Sequence, residues 1–236
     1  MRPIYLLLIA VCCSIELFSQ TIIPIESDAY SIVLQTDEEG RLRQVYFGEK
    51  LGADEEYGLI ADQLRYDGTN EDVFNNAYTP KGTWNIAEPA LDILHADDNP
   101  ATELIYASHE VTEEEAGVKL TAIKLIDEVY KTKVVLLYRV FTKENVFEQW
   151  VEIQNNEEAP ITLNKFASAN LYFRNDDFHL THYHGSWAEE MQPETTKLTH
   201  GIKVLDSKLG TRANLYAPPT FMLSFDQPAT ENEGTV

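Results

Sequence analysis

Apolar and polar residues alternate with a period of two along most of this chain. Tyr30, Ile32 and Leu34 stand against Ser31, Val33 and Gln35. Beyond Glu39-Gly40 come Leu42, Gln44, Val45, Tyr46 and Phe47, the pattern of a hairpin. The same reading predicts strands at Thr102–Glu110, Val118–Ile126, Thr132–Phe141, Val146–Gln154, Ile161–Phe173, Phe178–His184, Lys197–Ser207 and Phe221–Phe225. Glu114–Gly117, Thr142–Asn145 and Asn155–Pro160 separate them with turn-forming residues. No window of a dozen residues keeps an i, i+3, i+4, i+7 apolar stripe better than it keeps alternation. The expected fold is therefore all-β: a large antiparallel sandwich with few, short helices. In Val146–Gln154 the even positions, Trp150 among them, form one face, and Phe147, Gln149, Val151 and Ile153 the other. Trp150 is accordingly expected as a partly covered outward residue or an interface residue.

Met1–Gln20 breaks the pattern. Arg2 precedes an apolar run from Tyr5 to Cys13, and Leu17-Phe18-Ser19-Gln20 offers a cleavage site, which together read as a secretory signal peptide. The run is too short to span a bilayer, so an exported protein, periplasmic or extracellular, is expected. Both cysteines, Cys12 and Cys13, lie inside this segment. A mature chain without it has no disulfide, thiolate metal site or cysteine nucleophile. A lipid anchor at either cysteine is the alternative, against which Val11 stands where a small residue is expected.

The 236 residues carry a formal net charge of −21, unchanged when Arg2 and Glu16 leave with the signal. Such a field makes nucleic acid and anionic membranes poor partners and leaves a neutral sugar unpenalised.

Candidate chemistry is sparse. The irregular stretch Tyr57–Pro100 is where a long loop on a sheet scaffold carries function, if any loop does. Trp84 and Trp187 sit among small or polar residues, suited to stacking on a sugar ring, to sealing a sandwich edge or to an interface. His182 and His184 alternate on one predicted strand, yet no third metal ligand can be named, and sheet packing is the commoner use. Carboxylates are too many to single out a hydrolytic pair, and the adjacent pairs Asp97/Asp98, Asp176/Asp177 and Glu189/Glu190 point to opposite faces on a strand. There is no G-x-S-x-G, no H-E-x-x-H and no phosphate-cradling glycine loop. No metal or other cofactor is called for.

Two segments carry a resemblance. Gly82-Thr83-Trp84-Asn85-Ile86-Ala87-Glu88-Pro89-Ala90-Leu91, with Leu94-His95-Ala96-Asp97-Asp98-Asn99, resembles the E-P-A-L loop and H-A-D-G-N turn of glycoside hydrolase family thirty-six, the melibiase type of α-galactosidase. Leu180–Glu190 is similar to that family's strand ending in G-x-W-x-x-E, and Gly201 with Ser207–Thr211 resembles its return strand and S-x-x-G turn. Order and spacing agree over roughly Thr21 to Phe225.

The resemblance implies a supersandwich of the galactose-mutarotase-like shape, packed against a catalytic (β/α)8 barrel. A barrel of about 250 residues cannot fit in this chain, and the family's K-W-D nucleophile element is missing around Trp84, Trp150 and Trp187. The expectation is thus a non-catalytic N-terminal domain, residues 21–236, of an enzyme of carbohydrate metabolism that hydrolyses terminal α-galactosides. It would come from a truncated or split chain, be inactive alone, and have a barrel in the same or a neighbouring chain as partner.

The resemblance sets Trp84 and Asn85 at the rim of the sugar pocket, with Asn85 where the family often has aspartate and Ala87 where it often has arginine. It leaves Trp150, Trp187 and Glu190 to interface or structural roles, and association into a homo-oligomer open. A free-standing carbohydrate-binding sandwich and a structural or assembly domain are the alternatives.

Overall fold

The computed structural model describes residues 20–52, 54–63, 75–173, 177–209, 216–228 and 230. The signal-like segment up to Ser19, and Asp176, lie outside these described residues. The chain divides into two units, Met1–Tyr172 and Phe173–Val236.

In the first unit, β1 (Ile22–Glu26), β2 (Tyr30–Thr36) and β3 (Leu42–Glu49) form an antiparallel sheet in that order. A single described helix, α1 (Asp54–Gln63), follows. Strand β4 (Leu91–Leu94) pairs with β9 (Thr162–Phe166). Between them in sequence, β5 (Ile105–Glu115), β6 (Val118–Ile126), β7 (Lys133–Phe141) and β8 (Val146–Gln154) make a four-stranded antiparallel meander.

One apolar core joins these sheets. It takes Ile23 and Ile25 from β1, Ile32 and Leu34 from β2, and Leu91 and Ile93 from β4. From the meander it takes Ile123, Leu125, Val134, Leu136 and Tyr138, and Phe147, Val151 and Ile153 of β8 pack on it. Those β8 residues are the inward set expected from alternation, and Trp150 faces outward, half-buried. Its ring lies 5.0 Å under the Arg139 guanidinium, which also reaches Glu114 and Glu148.

Val33 is fully buried on the opposite face of β2 because Tyr57 of α1 covers it. The Tyr57 hydroxyl bonds Glu26 and lies 3.0 Å from Ser31 Oγ. Strand β2 therefore has apolar cover on both sides, and the helix exists through that packing more than through any amphipathic stripe.

In the second unit, β10 (Phe178–Ser186) lies between β11 (Glu189–Lys197) and β12 (Phe221–Phe225), antiparallel to both. The expected strand Lys197–Ser207 is not formed. Its place is taken by β11, which the Trp187-Ala188 turn folds directly onto β10, Ser186 pairing with Glu189. Ala188 adopts φ 65° there. A Cβ on Gly185 would come within 2.4 Å of the Glu189 carbonyl oxygen, so only glycine admits this closure. The predicted strand Ile161–Phe173 shortens to β9.

Candidate functional site

The loop from Gly82 to Pro89 is an excursion pinned at its neck. Lys81 N–H donates to the Leu91 carbonyl at 2.9 Å, and Ala90 N–H to that of Thr79 at 2.8 Å. Gly82 has φ 87°, and a Cβ there would lie 2.5 Å from Ala101 Cα. The turn is therefore closed to any other residue. Within the loop, Thr83 and Asn85 form local side-chain turns: Asn85 N–H donates to Thr83 Oγ1, and Asn85 Oδ1 accepts from Ala87 N–H at 3.0 Å.

Two ion pairs brace the flanks. Lys81 Nζ lies 2.6 Å from Asp92 Oδ2, and Lys165 Nζ 2.5 Å from Glu88 Oε1. The Lys81 hydrogen bond holds the Asp92 carboxyl below the usual carboxylate range. Asp92 is therefore not set up to donate a proton at neutral pH.

This scaffold leaves Trp84 58% exposed and Ile86 66% exposed, while Asn85 is 8% exposed. Of the two residues expected at a sugar rim, the indole faces solvent and the amide is turned into the loop's own backbone. What the site offers chemically is a planar apolar surface held by a rigid backbone, suited to stacking.

Behind the loop sits a polar knot built on the His95 turn. The side chain of His95 is fully buried, and its Nδ1–H donates to Glu157 Oε1 at 2.7 Å. Its Nε2 faces the Thr102 hydroxyl at 2.8 Å. Tyr130 stacks on the imidazole at 3.7 Å, its hydroxyl donating to Asp97 Oδ2 and accepting from Asn99 Nδ2. Thr102 N–H in turn donates to the Lys81 carbonyl at 3.0 Å, so the knot holds the chain against which Gly82 turns. Hydroxyl, imidazole and carboxylate line up here as in a hydrolytic triad. Thr102 and His95 are each 2% exposed, however, so the line is a structural support.

The other expected residues lie elsewhere. Trp187 is 85% exposed at the tip of the β10–β11 hairpin, and Glu190 accepts the Ala188 N–H at 3.0 Å, supporting that turn. Trp150 belongs to the outer face of the meander. His182 Nε2 is 3.9 Å from Glu194 Oε2. Among the described residues, no group of three or more His, Cys, Asp or Glu side chains is arranged to hold a metal ion. None of the described helices is long and apolar enough to cross a membrane.

The sequence reading missed the residues that make the loop rigid. Lys165 and Glu157 are 77 and 62 positions from their partners, distances at which no local pattern betrays a pairing. Gly82 was the one visible signal.

A family model described as glycosyl hydrolase family 36 N-terminal domain matches residues 40–236. The bifunctional α-galactosidase/sucrose kinase AgaSK of Mediterraneibacter gnavus is 26% identical over 225 residues, 86% of this chain and 24% of that protein. The α-galactosidase Mel36A of Lactobacillus acidophilus is 26% identical over 234 residues, 86% of this chain and 31% of its own length. Among solved structures, the galactosidase domain of AgaSK superposes with a TM-score of 0.75 at 24% identity, covering 87% of this chain and 32% of that one. The α-galactosidase from Lactobacillus brevis gives a TM-score of 0.77 at 19% identity, over 87% and 31%. At these identities the superpositions show the fold, and the chain spans a quarter to a third of the length of the proteins it matches.

Proposed function

The chain belongs to the glycosyl hydrolase family 36 N-terminal domain family, and from that premise we propose that it serves as the non-catalytic β-sandwich part of an α-galactosidase-type enzyme, lending its Trp84 loop to the wall of the galactoside site. The observation that carries this reading is the loop itself: a braced backbone that holds one indole in solvent while tying its neighbouring carboxylates to lysines.

Retaining glycoside hydrolysis needs two carboxyl groups about 5–5.5 Å apart, one of them free to give and take a proton. Asp92, its pKa lowered by Lys81, does not supply that proton, and the relatives are three to four times as long as the part this chain matches, so the chemistry is assigned in this proposal to a catalytic (β/α)8 partner, in the same or a neighbouring chain. In this assignment Trp84 stacks on the sugar or its aglycone, and Asn85 keeps Trp84 in place through its bond to Ala87. The Met1–Gln20 pattern supports export as part of the same proposal.

An exposed rim is only one wall of a cavity, and small ligands bind well when most of their surface is buried. Titration calorimetry with galactose should thus show weak or no binding to this chain alone. Binding should appear once a family 36 catalytic portion is joined to it, and weaken on Trp84→Ala. Tight binding to the chain alone would instead identify a free carbohydrate-binding sandwich.

A further inference from the structure

Beyond Trp84 the loop turns apolar. Asn85 has its carboxamide oxygen on Ala87 N–H at 3.0 Å, and Glu88 is held by Lys165 at 2.5 Å. Before the indole, Thr83 Oγ1 lies 3.4 Å from both the Pro80 carbonyl oxygen and the Asn85 nitrogen. Every polar side chain of the loop, the indole N–H apart, thus has a partner inside the chain. Ile86 and Ala87 have no polar side-chain group to offer. Where the family resemblance sets an aspartate and an arginine, this chain presents an amide turned inward and a methyl group.

Ile86 is 66% exposed and takes no part in the apolar core of the first unit. A single surface isoleucine is ordinary. This one, however, stands on a braced backbone two residues from an exposed indole. Two residues of extended chain span at most about 7 Å, so a ligand whose sugar ring lies on Trp84 reaches Ile86 with its next group.

For a glycoside that next group is the aglycone. A second sugar there would lose water from its hydroxyls and find no side chain to replace it. An alkyl or aryl group gains from the same contact, by roughly fourfold in affinity for each methylene fully covered. An anionic aglycone is opposed by the charge of −21.

We infer that Ile86 makes the aglycone side of this wall apolar, so that the assembled enzyme favours α-galactosides of neutral alkyl or aryl alcohols. This rests on the function proposed above and adds what the loop selects.

The test joins the full chain to the catalytic portion of the Lactobacillus acidophilus relative. It measures kcat/KM for methyl and octyl α-galactoside, the latter below its micelle-forming concentration. The two alcohols are nearly equal as leaving groups, so the ratio reports contacts of the alkyl chain. Octyl should exceed methyl by about tenfold or more. Ile86→Ser should lower that ratio by about fivefold or more, whereas Trp84→Ala should lower both values alike. Val129→Asp, at a 79% exposed position of the same unit, should leave the ratio unchanged. Saturation-transfer NMR on the full chain alone reads the contact without turnover: the octyl methylenes should receive saturation and lose most of it in Ile86→Ser.

Equal kcat/KM for the two galactosides, or a ratio that Ile86→Ser leaves unchanged, would overturn the inference and spare the functional reading. A drop by the same factor for both galactosides on Ile86→Ser would place that side chain against the galactose or the catalytic portion, and would overturn the inference as well. A folded joined protein that turns over neither galactoside would overturn both.

Discussion

Replacing His95 by alanine should destabilise the first unit and loosen the loop that presents Trp84. The fully buried imidazole gives one hydrogen bond to a carboxylate and shares another with a hydroxyl, and it stacks on Tyr130. A bond to a charged group contributes about 1.5–3 kcal/mol and a neutral one about 0.5–1.5. The ring contact adds roughly 0.5–1.5 more. Without the ring, Glu157 keeps the Ala96 N–H at 3.2 Å but loses its stronger partner. Together these come to about 2.5–6 kcal/mol, a range that brackets the roughly 3–5 kcal/mol of breaking one side of a buried pair. That is a large share of the roughly 5–15 kcal/mol a domain possesses.

Urea unfolding followed by fluorescence measures the loss. Hydrogen exchange at the Thr102 amide, which donates to Lys81, reports whether the base of the loop opens. Trp84→Ala, at an exposed position, should stay within about 0.5 kcal/mol of the parent. A His95→Ala cost below about 1 kcal/mol, or an unchanged Thr102 amide, would refute the view that this knot supports the loop.

Gly82→Ala should cost roughly 2–5 kcal/mol, since it combines a left-handed φ with a Cβ driven into the Ala101 backbone. Gly117→Ala shares the positive φ but meets only Thr142 Oγ1 at 3.4 Å, and should cost about 1–2 kcal/mol; equal costs in chemical denaturation would remove the steric argument. Asp92 has a folded pKa depressed by its hydrogen bond from Lys81. Its contribution should be complete above the unfolded carboxylate value and fade as pH falls through the lower folded one. NMR titration of the Asp92 carboxyl checks the direction, and a pKa at or above that of free aspartate would contradict it.

Much of the first unit was legible because strands such as β6 and β8 pack one face on the core and turn the other outward. The bounds of β6 and β8 there, and of β12 in the second unit, match the expected strands, and the inward set of β8 follows from alternation alone. Strand β11 was not legible. Glu189-Glu190-Met191-Gln192-Pro193-Glu194 lies on a sheet with little interior and has no apolar period to read, and pairing through the tight Trp187-Ala188 turn specifies it instead. Residues Leu198–Ser207 carry the apolar alternation that attracted a strand reading, yet they form no strand, and Leu198 and Leu205 line a surface cleft instead. At the loop, the exposure of Trp84 followed from its small and polar neighbours. The inward turn of Asn85 did not, because Asx geometry depends on where Ala87 N–H points. The His95 knot escaped notice since its partners come from three separate turns.

The central claim, a sandwich that supplies a wall but no chemistry, is tested most directly by assaying the purified full chain with an aryl α-galactoside. The account predicts no release of the phenol above buffer from this chain alone. Turnover that persists through rigorous purification and vanishes on replacing a carboxylate of this chain, Asp92→Asn or Glu88→Gln among the first to try, would contradict it.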